Sequence, residues 1–194
     1  MDEAQVGQVG GASVSAPMRL VARIVMVVAA LGLVAAFFLP WASAGEDYRE
    51  AAALAPDVMF YEPTGLTVEG AADLSLFEYE QVYGSMSGTG WEIYLYIIYV
   101  ALGVAVVTLV LAAFGKPIGV TVFGILTLVA SRLLVWDFED RGVLPNGTHD
   151  WGVAPVIYIV AAVVLIAAAV WLFVLKRQAK AAARGAEQMN GSAR

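Results

Sequence analysis

The chain has 194 residues, 60% of them hydrophobic and only 14% charged, with a mean hydropathy of +0.76, more apolar surface than one soluble core of this size can hide. Its formal net charge is −6 with a pI near 4.7, and its basic residues are few and lie beside the apolar stretches, which gives nucleic-acid binding no support. The absence of cysteine excludes disulfides, thiolate metal sites, cysteine nucleophiles and lipidation through sulfur.

Residues 1–18 read as a flexible cytoplasmic N-terminus, 19–175 as a transmembrane domain, and 176–194 as a basic cytoplasmic tail. Within the domain, four apolar stretches at about 20–39, 93–114, 118–136 and 153–175 are each long enough to cross about 30 Å of hydrocarbon at 1.5 Å per residue. They lack the alternation of barrel strands, so helices must satisfy their backbones in lipid. The expected fold is an all-α membrane protein: a four-transmembrane-helix bundle with a small ordered extracytoplasmic cap from the first loop.

The first span ends in FFLPWASAGED, where Ala42-Ser43-Ala44 has the small-x-small form of a signal-peptide cleavage site. Two features favour an anchor that stays. The apolar run, Ile24 to Leu39, exceeds the usual 7 to 15 residues of a signal peptide, and Ala22, Ala29 and Ala36 recur every seven residues as a packing stripe.

Positive charge orients the threading. Arg19 and Arg23 lie at the start of the first span, Lys116 sits in the Gly115-Lys116-Pro117 turn between the second and third, and Lys176, Arg177, Lys180 and Arg184 follow the fourth. The outer loops, 40–92 and 137–152, hold ten and four carboxylates respectively, 14 of the 17 in the chain, against only Arg49 and Arg141. Both termini are therefore expected in the cytoplasm of a cell with a multi-pass plasma-membrane protein. Trp41, Trp91, Trp136 and Trp151 fall at the outer boundary and Trp171 near the inner one, as interface anchors do.

Small residues also repeat on the other spans. Ala101, Ala105, Thr108, Ala112 and Gly115 share a face of the second; Thr121, Gly124 and Ser131 follow Pro117 on the third; Ala154, Ala161 and Ala168 mark the fourth. The short turn makes the second and third spans an antiparallel hairpin, and Gly115-x-x-x-Gly119, which straddles it, is a weak match to the dimerisation pattern.

The long first loop is expected to be ordered. EDYREAAAL (46–54) reads as a helix, VMFY and LTV as short strands around Pro63-Thr64-Gly65, and Ser75 with Glu78 as a capping box that opens a helix through Tyr83. Gly84 to Gly90 reads as a flexible lead into the second span.

No Asp, Glu, His or Lys lies centrally in a span, so proton relays, haem ligation and intramembrane metal catalysis have no visible apparatus. Arg132, one turn before Trp136, is the exception: it is read as pairing with Glu92, Asp137 or Glu139, or as gripping a lipid headgroup or anionic substrate. Asp137, Glu139 and Asp140 lack the spacing of a calcium loop, and a solvated acidic surface is the favoured reading. His149 is read as non-catalytic, and Asn146-Gly147-Thr148 is a glycosylation sequon only where the host glycosylates. No phosphate loop, nucleophile elbow or zinc signature is present, and no cofactor is implied.

Four spans with both ends inside, a long first outer loop and a shorter second resemble the plan of claudins and peripheral myelin proteins in topology. The first loop lacks their paired cysteines and Gly-Leu-Trp context, so the resemblance implies no junctional function. Phe38-Leu39-Pro40-Trp41 with GAADLSLFE (70–78) is also similar to small bacterial integral membrane proteins, a likeness over about 40 residues that implies no activity. The expected function is that of a non-enzymatic accessory, assembly or interaction subunit that meets a membrane-protein partner or its own copy through the acidic outer loop. A transporter or channel component, and a lipid-modifying enzyme with outer-loop carboxylates, are the alternatives.

Overall fold

A computed structural model describes residues 6–86 and 88–192. It is mostly helical, with four helices long and apolar enough to cross a membrane. In chain order these are α1 (Val6–Ala35), α4 (Thr89–Ala113), α5 (Pro117–Asp140) and α6 (Ala154–Ser192); two shorter helices, α2 (Glu46–Leu54) and α3 (Leu76–Ser85), lie between α1 and α4. Five short strands accompany them: β1 (Ala42–Ala44), β2 (Met59–Tyr61), β3 (Leu66–Thr67), β4 (Asp73–Leu74) and β5 (His149–Trp151).

The long helices form a ring in which α1 packs on α4 and α6, and α5 packs on the same two. Lipid tails are as apolar as leucine, so burial of apolar surface does little to bring such helices together; close van der Waals approach does, and small residues permit it. All three alanines of the first stripe, Ala22, Ala29 and Ala36, are buried, as are Ala101, Ala105, Thr108 and Ala112 on α4 and Ala154, Ala161 and Ala168 on α6. A β-carbon added at Gly32 would lie 3.4 Å from that of Ala161, and one at Gly124 would lie 3.1 Å from a Leu165 methyl. Valine, isoleucine and leucine face outward on every long helix, the inverse of a soluble bundle.

The boundaries differ from those read in sequence for local reasons. α1 stops at Ala35 rather than Leu39, because Pro40 disfavours helix in the residue before it and the chain turns through Phe37 and Phe38, whose amides donate to Val34 and Ala35. At its other end α1 is helical from Val6 and runs across Pro17, extending an existing helix costing far less than starting one; residues 1–5 of the lead expected to be flexible lie outside the described residues. α5 runs to Asp140, a turn beyond Trp136. α6 continues through the basic tail to Ser192. The lead into α4 shrinks to three residues, since α3 reaches Ser85 and α4 starts at Thr89; Ser87 lies outside the described residues.

At one end, here the turn end, α4 and α5 are joined through Gly115 at φ +61°, a conformation that a β-carbon would strain. Lys176 Nζ donates to the Gly115 carbonyl at 2.6 Å, and Arg23 donates to that of Ala113; both satisfy acceptors that a helix C-terminus leaves open.

At the opposite, loop end, three distant segments meet in one antiparallel sheet ordered β4-β1-β5, with Ala42 opposite both Leu74 and Trp151, and Ser43 opposite Asp73 and Asp150. This sheet was not read from the sequence. The exit of α1 and the entry of α6 are further tied by Gly152 N–H donating to the Trp41 carbonyl (2.8 Å) and Ala154 N–H donating to that of Pro40 (2.9 Å). Trp41 is wholly buried: its indole N–H donates to the Ala36 carbonyl at 2.9 Å and its ring meets Tyr158 edge-on at 5.9 Å. It is a core residue, and its expected role as an interface anchor is corrected here. β2 and β3 form a separate hairpin around Gly65, which takes the left-handed conformation.

A β-carbon at Gly152 would stand 2.2 Å from the Pro40 carbonyl oxygen, and both partners are backbone, so neither can step aside. Gly152→Ala is expected to destabilise the protein by about 1–3 kcal/mol, the usual range for overpacking, seen as a lowered Tm in detergent, whereas Gly147→Ala, where an added β-carbon meets nothing, should leave Tm unchanged.

Candidate functional site

The loop end is built around an arginine in an aromatic cage. α3 begins with the capping box: Ser75 Oγ accepts from the amides of Phe77 and Glu78, and the Glu78 carboxylate accepts from Ser75 N–H at 2.8 Å. The helix thus started places Tyr79 and Tyr83, four residues apart, on one face. Tyr79 packs on Phe138 (5.0 Å between centroids), Tyr83 stacks on Trp91 (5.8 Å), and Phe138 stacks on Trp151 (6.4 Å).

Arg141 follows the last residue of α5. Its Nε and Nη2 both donate to Asp137 Oδ2, the former at 3.1 Å; Nη1 donates to the Tyr83 hydroxyl at 3.1 Å; and its guanidinium carbon lies 3.7 Å from the centre of the Tyr94 ring. The pair is 19% and 23% exposed, dry enough for a charge-assisted fork and a cation–π contact to hold the side chain in one place. Beside it lies a cleft of about 650 Å³ walled by Tyr79, Tyr83, Met86, Trp91, Tyr94 and Arg141. Burial pushes the Tyr79 hydroxyl's pKa up, and does the same for Tyr83 although Arg141 pulls back against it, so neither phenol supplies a base near neutral pH. With Arg141 neutralised by Asp137, the cleft suits an apolar or aromatic group.

A second cleft of about 300 Å³ lies across Tyr79 and Val143 from the first and is bordered by Phe60, Leu74, Glu78 and His149. His149 is 7% exposed. Its Nε2 lies 2.8 Å from the Ala71 carbonyl, its Nδ1 2.9 Å from Thr148 Oγ1, and its ring 4.9 Å from Tyr48. Both nitrogens are committed within the fold, so the side chain joins the two loops. The amide nitrogen of Asn146 is likewise engaged, donating to the Val143 carbonyl at 2.8 Å, while its oxygen accepts from Thr148 and His149 N–H.

The candidate residues are not assembled as expected. Arg132 is exposed and makes no ion pair or hydrogen bond among the described residues. Because α5 continues past it, Asp137 lies five residues on, about 140° around the helix, and pairs with Arg141 at the favourable i,i+4 spacing instead. Glu92 and Glu139 are exposed, and no three His, Asp or Glu side chains converge as metal ligands among the described residues. Trp91, Trp136 and Trp171 are 39%, 63% and 41% exposed, so their rings can reach a membrane interface; Trp151 is half-buried against Phe138. Arg141, counted in the sequence only among the outer-loop bases, is legible there as the fourth residue after Asp137.

On the sheet, Asp73 Oδ1 accepts from Ser43 Oγ and Arg49 Nη2, each at 2.8 Å. Burial alone would raise the Asp73 carboxyl, but these hydrogen bonds and the Arg49 charge outweigh it and hold the pKa below the usual carboxylate value.

No family model matches the chain, and no curated protein or solved structure matches it either.

Two outcomes follow from this geometry. Arg141→Gln leaves the Asp137 carboxylate half-buried without its partner and should cost about 2 kcal/mol, between the near-zero of exposed pairs and the 3–5 of fully buried ones, while Arg132→Gln should leave Tm unchanged. Because the Asp73 pKa is lower in the folded protein, its contribution is present above the unfolded value of about 3.9 and is lost as pH falls through the folded value. Asp73→Asn should therefore flatten the fall of Tm on acidification below about pH 4, by a small amount, since the pair is 44% and 41% exposed.

Proposed function

We propose that this is a multi-pass protein of the cell (plasma) membrane, with both termini cytoplasmic and the loop end outside, and that it serves as a non-enzymatic accessory or assembly subunit whose acidic loop end docks a partner protein. The observation that carries the reading is an apolar run set outside the spans. Leu54 is 89% exposed, and Val58, Met59 and Phe60 are each 50% exposed or more. Glu50, Asp57, Glu62 and Glu69, all exposed, flank this run in sequence. Exposed apolar side chains with charged neighbours are a common feature of protein-binding surfaces. Among the described residues β2, which carries Met59 and Phe60, has only β3 as a sheet neighbour, leaving an edge to which a partner strand could add. The flanking carboxylates favour a partner with basic residues beside an apolar anchor.

The orientation is supported by charge. Lys116, Lys176, Arg177 and Lys180 gather at the turn end and the acidic loops at the other, as the inside-positive bias requires. Retention of residues 1–44 is supported by packing. Cleavage after Ala44 would remove α1 from between α4 and α6, the central strand β1, and the buried Trp41.

The absence of cysteine makes a direct test available. In intact cells a membrane-impermeant maleimide should label Asp57→Cys, and should label Lys180→Cys only after lysis; the reverse pattern overturns the topology, and a purified chain beginning at Gly45 overturns retention. A stoichiometric partner co-purified in mild detergent should be lost on the order of ten-fold in Met59→Asp/Phe60→Asp, a substitution at exposed positions that should leave Tm in place. Solute flux by the pure protein in liposomes would instead support transport, and lipid turnover abolished by changing Asp137 or Glu139 would support an enzyme.

A further inference from the structure

The turn end carries a feature that the docking reading does not use. Between the start of α5 and the last apolar turns of α6 lies a cleft of about 410 Å³, with Lys116, Lys176, Arg177 and Lys180 on its lining. It adjoins a second hollow of about 240 Å³, with which it shares Pro117, Ile118 and Phe173. The second hollow continues along the outer face of the helices past Val122 and Val170, both about half exposed and apolar. The two together form one groove, cationic at its head and hydrocarbon along its length.

The four cations are not equivalent. Lys176 is committed to the Gly115 carbonyl, and Arg177 lies 4.9 Å from the Phe173 ring, which holds its guanidinium at the groove. Lys116, Arg177 and Lys180 have no carboxylate partner among the described residues, and no carboxylate lines either hollow. The nearest acidic residue along α6, Glu187, is seven residues beyond Lys180, about 10 Å along a helix. A concentration of positive charge beside a lipid-facing apolar trough is complementary to one class of molecule only: an amphiphile with an anionic head and a hydrocarbon tail.

We propose that this groove is a binding site for one anionic phospholipid, its phosphate held by Lys116, Arg177 and Lys180 and an acyl chain lying over Ile118, Val122 and Val170. Lys176 supports the site from behind by fixing the α4–α5 turn that carries Lys116. The inference rests on the helices being embedded in a bilayer and is independent of what the loop end docks, so failure of one leaves the other standing.

The test is native mass spectrometry of the full chain in neutral detergent, titrated with dioleoyl phosphatidylglycerol or dioleoyl phosphatidylcholine. The anionic lipid should saturate at one per chain and bind at least ten-fold more tightly than the zwitterionic one. Lys116→Gln/Arg177→Gln/Lys180→Gln should abolish that preference, at roughly five-fold per cation. All three side chains are exposed, so an unchanged Tm certifies the fold of this variant. Val122→Trp, which fills the trough without touching a charge, should weaken the phosphatidylglycerol complex while Tm holds. Equal binding of the two lipids, or a preference that survives loss of the three cations, overturns the proposal. So does displacement of phosphatidylglycerol by millimolar inorganic phosphate with Val122→Trp silent, which would reveal an ion site with no place for a chain.

Discussion

Helices surrounded by hydrocarbon gain little from hiding apolar side chains from one another, so the bundle depends on how closely their backbones can approach. The sequence meets that constraint by placing alanine, glycine and hydroxyl residues on the inward faces and branched aliphatics on the outward ones. A β-carbon at Gly32 would just reach van der Waals contact with Ala161, and one at Gly124 would press a Leu165 methyl closer than ordinary contact. Two hydroxyls on these seams are satisfied within their own helices: those of Thr108 and Thr127 donate to the carbonyls four residues before them. The arrangement fixes which helices are neighbours, and through that it fixes which loops can meet at the ends.

At the loop end the consequence is a sheet whose strands are two or three residues long and could not exist alone. α1 and α6 pack against one another, which brings Pro40 and Gly152 into contact and lays β1 beside β5. β4 then closes the other side of β1, and the capping box that follows it at Ser75 launches α3 toward the start of α4. Each loop element is therefore positioned by something the helices settled first, and Arg141 is held where α3, α4 and α5 converge.

That hierarchy explains what could be read from the residues alone. Features set by neighbours within a few positions were legible: the four spans, the seven-residue alanine stripes, the α2 segment from Glu46 to Leu54, the Ser75–Glu78 box, and the turn at Gly65. Features that require distant partners were not. Ala42-Ser43-Ala44 carries no strand pattern of its own and resembles a cleavage site; only Leu74 and Trp151, 32 and 109 positions on, make it a central strand. Trp41 has the look of an interface anchor, but the turn after Ala35 swings its indole onto the Ala36 carbonyl. Arg132 is a charge inside the third span and invites a functional reading, whereas the arginine that organises the loop end, Arg141, stands beyond that span, at a spacing that becomes visible once α5 is known to continue through Asp140.

The two ends spend their cations in opposite ways. At the loop end Arg49 and Arg141 are each held by a carboxylate, Asp73 and Asp137, in the two ion pairs seen among the described residues, and the remaining loop carboxylates keep that end negative. At the turn end Arg23 and Lys176 complete the carbonyls that α4 leaves open, and hydrogen bonding to a neutral acceptor leaves their charge uncancelled. A carboxylate there has no proton to donate to those carbonyls and would have removed the positive potential. Using lysine and arginine as the helix stop therefore achieves structure and field with the same side chains, and it leaves the molecule electrically polarised along the axis its helices share.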